Sequence, residues 1–157
     1  MSSSVVIRRM IEQDIGVLAA AFAPWNKLRA QYERYFTENQ SGERITLVAF
    51  VEGEVAGYGN LVWRSDYWPF EAQGIPEISD LNTLEPYRRR GIASAIIAEC
   101  ERIAAASGKC LIGIGVGLTP DYANAQRLYP KLGYEYDGQG ARPTPWGDVS
   151  YLTKRLA

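Results

Sequence analysis

Leu81-Asn82-Thr83-Leu84-Glu85-Pro86-Tyr87-Arg88-Arg89-Arg90-Gly91-Ile92-Ala93-Ser94-Ala95 is the stretch on which the reading of this chain turns. Glu77–Leu84 reads as a strand, and Pro86 follows it in a short turn. A helix is predicted from about Gly91 to Ala106, because Ile92, Ile96, Cys100 and Ile103 recur at helical spacing. Ser107-Gly108 stops it, as glycine does at helix C-termini. The free amides of a first helical turn and the positive end of its dipole bind anions. Gly91 permits close backbone approach, Ala93 keeps the turn narrow, and Ser94 offers a hydroxyl. Arg88, Arg89 and Arg90 add positive charge beside those amides. Three arginines alone would be a solvated turn. Strand, turn, glycine, small residue and helix in succession make a corner suited to a diphosphate.

Two other phosphate motifs fail. No GxxxxGK[ST] occurs, so this is not a P-loop. Gly113-Ile-Gly115-Val-Gly117 resembles part of a dinucleotide fingerprint, but it lies in a strand run and lacks the third glycine at its step. These glycines fall on one strand face. That face leaves room either for a ligand or for a packed backbone.

Outward from the corner, the chain alternates strands and helices. Val5–Ile7 predicts a first strand, and Asp14 opens a helix ending near Pro24. Lys27–Asn39 predicts a second helix, with Leu28, Tyr32, Tyr35 and Phe36 on one face. Ile45–Val51 and Val55–Trp63 predict strands joined at Glu52-Gly53-Glu54. Ser65–Pro76 reads as an irregular loop. Cys110–Leu118 is apolar enough for a central strand covered on both sides. Pro120–Lys131 predicts a helix stopped by Gly133, and Val149–Lys154 a last strand. The 157 residues fit one mixed α/β domain spanning 1–157.

Composition excludes several chemistries. No histidine is present, which removes imidazole bases and His-ligated zinc. Cys100 and Cys110 cannot make a four-thiolate site and lie in apolar runs, so they read as buried free thiols in a reducing compartment, with no metal expected. The net charge of −1 argues against a dedicated nucleic-acid binder. No apolar run approaches membrane-spanning length, and Met1-Ser-Ser-Ser-Val-Val-Ile-Arg-Arg lacks the apolar core of a signal peptide. A cytoplasmic protein with no membrane partner is expected.

These features resemble the GCN5-related N-acetyltransferase (GNAT) superfamily. Arg88, Gly91 and Ala93 match its [Arg/Gln]-x-x-Gly-x-[Gly/Ala] motif. Ala125, Leu128, Tyr129, Lys131, Gly133 and Tyr134 match its Ala-x-x-Leu-Tyr-x-Lys-x-Gly-[Phe/Tyr] helix. Both motifs stand in the family's order, and the element order fits nearly the whole chain. The resemblance implies a GNAT-type fold: a central mixed, mostly antiparallel sheet flanked by helices, with a splayed pair of parallel strands, here Glu77–Leu84 and Cys110–Leu118. It implies acetyl-CoA as co-substrate. The backbone of Leu81, Asn82 and Thr83 would hold its pantetheine arm, and the amides of Arg89, Arg90, Gly91, Ile92, Ala93 and Ser94 its pyrophosphate, beside Arg88. Tyr122 stands where many members have a cofactor-contacting asparagine, and Pro130 interrupts the matching helix.

The implied chemistry is acetyl transfer to a primary amine by direct attack on the thioester. Neutralising an alkylamine of pKa about 10.4 at pH 7 costs roughly 4–5 kcal/mol. A carboxylate can take that proton. Glu77 lies six residues before Thr83, an offset at which some family members place a glutamate base, and Asp80 is the second candidate. Tyr129 matches the family's general acid, and its neutral phenol can donate. Trp25, Tyr32, Tyr35, Phe36, Trp63, Tyr67, Trp68 and Phe70 precede the motif, and read either as a pocket for a small amine acceptor or as core and a homodimer contact. Trp146 could join either. Two further readings stay open: a CoA-binding module without turnover, favoured by Tyr122 and Pro130, and an RNA- or protein-contacting accessory that uses the arginines.

Overall fold

Apolar runs covered on both faces make the central strands. The structure, a computed structural model, describes residues 4–157. The signal-peptide reading therefore falls partly on residues 1–3, outside the described residues. The chain forms two compact units. One comprises the described chain up to Val62 together with Asp80–Cys100; the other comprises Trp63–Ser79 and the chain from Glu101 onward. Strand β4 (Glu77–Thr83) and helix α4 (Ile92–Ala106) each run through both. Among the described residues, eight strands and five α-helices make a mixed α/β fold whose pairings are mostly antiparallel.

In the first unit, β2 (Arg44–Val51) lies between β1 (Val5–Arg9) and β3 (Glu54–Val62), antiparallel to both. It is buried nearly throughout, as suits a largely apolar strand between two partners. Glu52 and Gly53 take left-handed φ of 51° and 80°, the geometry of a tight two-residue hairpin. The end of β4 follows β3, with Leu84 N–H donating to Ala56 O at 2.8 Å. Gly57 and Gly59 permit that approach: a Cβ on Gly57 would sit 2.4 Å from Asn82 O, and one on Gly59 2.8 Å from a Leu81 methyl. Helices α1 (Asp14–Ala21) and α2 (Arg29–Ser41) bury Ile15, Leu18, Tyr32 and Tyr35 with Val48 and Tyr58. Phe22 meets Tyr58 edge to face at 4.9 Å.

In the second unit, β4 runs parallel to β5 (Leu111–Gly117), pairing Glu77 with Gly113 and Ile78 with Ile114. Strand β8 (Gly147–Arg155) pairs antiparallel with β5 from Leu111↔Arg155 to Gly117↔Val149. Helix α5 (Ala123–Lys131) follows a 3-10 turn at Pro120–Tyr122. Two short strands absent from the sequence expectation, β6 (Glu135–Tyr136) and β7 (Arg142–Thr144), also pair with β8. They are too short to show a period. The expected loop at Ser65–Pro76 contains helix α3 (Trp68–Gln73), which Pro69 can open because the first turn needs no N–H there, and which Gly74 closes at φ 66°. Cys100 is buried as expected, but Cys110 is exposed, because it sits ahead of β5 rather than within it. No helix among the described residues is long and apolar enough to cross a membrane.

The glycine face of β5 holds rings. A Cβ on Gly113 would lie 2.2 Å from the Phe70 ring, one on Gly115 3.0 Å from Tyr151, and one on Gly117 2.3 Å from the Tyr122 ring. Tyr67 and Tyr151 stack at 3.6 Å, and Phe70 meets both edge-on. Side-chain rings take the space over those glycines, which is neither of the two uses left open for them, a ligand or a packed backbone. Phe70 is fully buried, whereas Tyr122 is exposed and can swing aside. Gly113→Ala is therefore expected to destabilise by about 2 kcal/mol, and Gly117→Ala by clearly less; urea unfolding of both variants checks the difference.

Candidate active site

The Arg88–Ser94 corner is built as its sequence requires. A 3-10 turn at Glu85–Tyr87 leaves β4, and Arg88 continues extended. Arg89 and Gly91 take left-handed φ of 65° and 76°, while Arg90 between them does not. Such alternation turns successive amides toward one concavity that suits an anion. The helical ladder of α4 begins with Ala95 N–H donating to Gly91 O at 2.9 Å, so the preceding amides have no partner within the helix. A Cβ on Gly91 would meet nothing within 4 Å, so the space beside it is open. Arg88, Arg89 and Arg90 are exposed, and Ala93 and Ser94 half-buried. Arg88 Nε also donates to Thr83 O at 3.3 Å, tying the turn to the end of β4. Ile92 is buried, so its contribution is its amide. These residues fit a diphosphate.

Ten residues upstream of Arg90 lies a feature that sequence reading did not foresee. Asp80 breaks the regular strand with a left-handed φ of 48°. Its carboxylate is surrounded by donors. Lys27 Nζ and Asn82 Nδ2 donate to Oδ1, each at 2.8 Å. Tyr35 OH donates to Oδ2 at 2.7 Å, Tyr58 OH at 2.9 Å, and Gln31 Nε2 at 3.3 Å. Burial alone would raise this carboxyl, but the Lys27 ammonium and the hydrogen bonds hold it below the usual aspartate value. Burial pushes the Tyr35 and Tyr58 phenols well up, and the Asp80 charge adds to it, so both stay protonated donors. Tyr32 and Tyr58 share a further hydrogen bond at 3.1 Å. The aromatic stripe of α2 is thus buried core and polar anchor rather than a pocket wall. Its one legible signal was two buried tyrosines on an otherwise polar helix.

In the second unit, Glu77 begins β4 beside a different set of groups. Ser65 OH hydrogen-bonds its Oε1. Burial raises the Glu77 carboxyl to about 7, with the Asp66 charge adding to the rise, while Ser65 and Arg142 oppose it. Tyr129 lies buried near the end of α5, and burial raises its phenol to about 12. Its carbonyl accepts the Tyr134 amide at 3.1 Å, and Gly133 turns the chain at φ 98°. Pro130 sits within α5, which ends at Lys131, two residues past Tyr129. At the position of the family's asparagine, Tyr122 lays its ring against Gly117 instead. Gln126 Nε2 donates to the Gly117 and Thr119 carbonyls at 2.8 and 3.1 Å, fastening α5 to the end of β5.

The two carboxylates carry opposite linkage. Asp80 is depressed, so its stabilisation is present above the ordinary value of 3.8 and fades as pH falls through its folded value. Glu77 is raised, so its stabilisation is present below 4.5 and is lost as pH climbs toward about 7. Asp80→Asn is expected to cost about 2 kcal/mol at pH 7, because it strands the Lys27 ammonium. Glu77→Gln is expected to gain stability relative to the wild type between pH 5 and 8 by about 2 kcal/mol, with part of the shift screened by solvent at a half-buried site. Thermal unfolding across pH 3–8 checks both signs.

Comparison with known proteins gives the family. The model of the acetyltransferase (GNAT) family matches residues 13–134. No curated protein matches the chain at a significant level. An N-acetyltransferase from Staphylococcus aureus Mu50 superposes with TM-score 0.78 at 17% identity, covering 99% of this chain and 100% of its own. PaiA N-acetyltransferase from Thermoplasma acidophilum, in complex with coenzyme A, gives 0.71 at 16%, covering 97% and 99%. An aminoglycoside 6'-N-acetyltransferase complexed with coenzyme A gives 0.72 at 17%, covering 97% of each chain. These identities speak to the fold alone. The family match spans most of the sequence, including the Arg88–Ala93 corner and the Tyr129 helix, and on that ground the chain belongs to the acetyltransferase (GNAT) family and is an acyltransferase.

Proposed function

We propose that the protein is an acetyl-CoA-dependent N-acetyltransferase acting on the primary amine of a small acceptor, within a single domain spanning 1–157. The observation that carries the amine assignment is Glu77, a half-buried carboxyl raised to about 7 by the loss of water around it. A base poised there ionises at neutral pH and still draws a proton from an ammonium. Support for the donor is the Arg89–Ser94 turn, whose left-handed residues and open Gly91 suit a pyrophosphate. Two solved structures of the same fold hold coenzyme A, which agrees. The aminoglycoside enzyme among them is the ground for a small acceptor.

The roles divide as follows. Backbone groups of Leu81, Asn82 and Thr83 hold the pantetheine arm, and the amides from Arg89 to Ser94, with Arg88, the pyrophosphate. Glu77 takes the proton of the acceptor ammonium. The freed nitrogen attacks the thioester carbonyl, the C–N bond forms and the C–S bond breaks. Tyr129 gives its proton to the departing thiolate and regains one through solvent as the new amide nitrogen sheds its second proton; a phenol raised to about 12 is protonated at the moment it is needed. Asp80, already engaged by five donors, anchors β4 and leaves the base role to Glu77. A cytoplasmic homodimer belongs to the same proposal, with Trp68 and Trp146, 74% and 81% exposed, as its contact candidates.

Acetyl-CoA at 100 times its dissociation constant is expected to add about 2.7 kcal/mol, a thermal shift of several degrees. Gly91→Glu is expected to abolish that shift, since it sets a carboxylate in the anion corner at a left-handed φ. Tyr129→Phe is expected to keep the shift and to lower kcat by about 100-fold, measured as thiol release with a panel of small amines. An unchanged kcat removes Tyr129 from the chemistry.

A further inference from the structure

Glu77 reaches its hydroxyl partner in a particular way. Ser65 is 4% exposed and precedes α3. Its Oγ accepts the Tyr67 backbone N–H at 2.9 Å. That bond occupies the oxygen's accepting side and turns the hydroxyl hydrogen outward, to Glu77 Oε1. Tyr67 cannot drift, because its ring stacks on Tyr151 at 3.6 Å and its hydroxyl donates to Asp137 at 2.6 Å. A chain of fixed contacts therefore runs from the stacked rings through the Tyr67 amide and the Ser65 hydroxyl to the carboxylate.

We infer that Ser65 is a positioning residue for the reaction: its oriented hydroxyl holds the Glu77 carboxylate in one rotamer and stabilises its ionised form. This rests on Glu77 being the base. The physical need is plain. A carboxylate in an apolar setting resists ionisation, and a donor aimed at the charged form offsets that resistance. Among the described groups, those acting on Glu77 are Ser65 and Asp66 from the segment before α3, Arg142 on β7, and Tyr151 on β8. Burial and Asp66 favour the neutral acid; Ser65 and Arg142 favour the carboxylate, with Ser65 the stronger of the two. Arg142 has a second neighbour, lying 5.6 Å above the Tyr67 ring, and makes a diffuse contribution rather than an aimed one.

The test needs no acceptor. Protein labelled with [13C]glutamate reports the Glu77 carboxyl by NMR, assigned by the signal lost in Glu77→Gln. Ser65→Ala is expected to move the Glu77 midpoint up by about one pH unit, and Ser65→Thr, which keeps a hydroxyl, to leave it within about 0.3 unit. A midpoint unmoved in Ser65→Ala overturns the proposal. Should Ser65→Ala fail to fold, Ser65→Cys serves, since its weaker donor is expected to move the midpoint the same way by less; no movement there overturns it equally. Turnover of acetyl-CoA with an accepted amine then separates the two assignments. The acid limb of kcat/KM is expected to follow the NMR midpoint in Ser65→Ala, with the alkaline plateau kept. If Glu77→Gln keeps full activity, the base assignment falls, and with it the proposed role of Ser65. If Glu77→Gln is inactive while the Ser65→Ala limb stays put, Glu77 stands and Ser65 alone is overturned.

Discussion

A carboxylate taken out of water must be met by donors or it will not stay ionised, and Asp80 is met by five. Lys27 supplies the compensating charge, and Tyr35, Tyr58, Gln31 and Asn82 supply aimed hydrogens. The donors come from α2 and from Lys27, two residues before it, from β3, and from β4 itself. Helices α1 and α2 are otherwise held by apolar packing, which is non-directional. The Asp80 cluster gives that packing a direction. It fixes where α2 sits along the strands, and it holds a left-handed residue in a strand, a conformation costly enough to need surrounding structure to enforce it. Directly beyond it in sequence come Leu81–Thr83 and the Arg88–Ser94 corner, so the cluster anchors the strand that leads into them.

Three residues earlier on the same strand, Glu77 has the opposite environment. It has no lysine against it. A hydroxyl and a more distant guanidinium only partly offset its burial, and the carboxyl rests near neutrality. One strand thus carries a carboxylate locked in its charged form and another able to change form near pH 7. Pairs driven apart in this way separate structural roles from acid–base roles. The difference comes mostly from burial and from neighbours distant in sequence: Lys27, Tyr35 and Tyr58 offset the burial of one, while Ser65 and Arg142 offset that of the other only in part.

Beta strand β5 shows how packing resolves what a motif leaves ambiguous. Gly113, Gly115 and Gly117 look like a nucleotide signature, yet each is a seat for a ring or side chain from another element. Phe70 reaches Gly113 because α3 forms inside a stretch dense in loop-forming residues. The Tyr122 ring takes up the space over Gly117, and Gln126 bonds the carbonyls beside it. Gln126 thus fastens α5 to the end of β5, with Tyr129 on the same helix.

Local pattern determined a good deal. The Ile92–Ile103 spacing made α4, Glu52-Gly53 made the hairpin, and Gly91 after three arginines marked the anion corner, because helical period, left-handed turns and helix-start amides are properties of a few neighbouring residues. The Leu-Tyr-Pro-Lys-Leu-Gly-Tyr run at 128–134 likewise placed Tyr129 on a helix that ends just after it. Strands β6 and β7 carried no period to read, and α3 was hidden behind Pro69 and Gly74. What only the tertiary structure decided was the state of each carboxyl. Glu77 and Asp80 are both acidic residues on one strand, and no local pattern says that Lys27, 53 residues away, neutralises one while Ser65, 12 residues away, faces the other. Ionisation depends on burial and on charges brought near by folding, and those distances exist only once the chain has closed on itself.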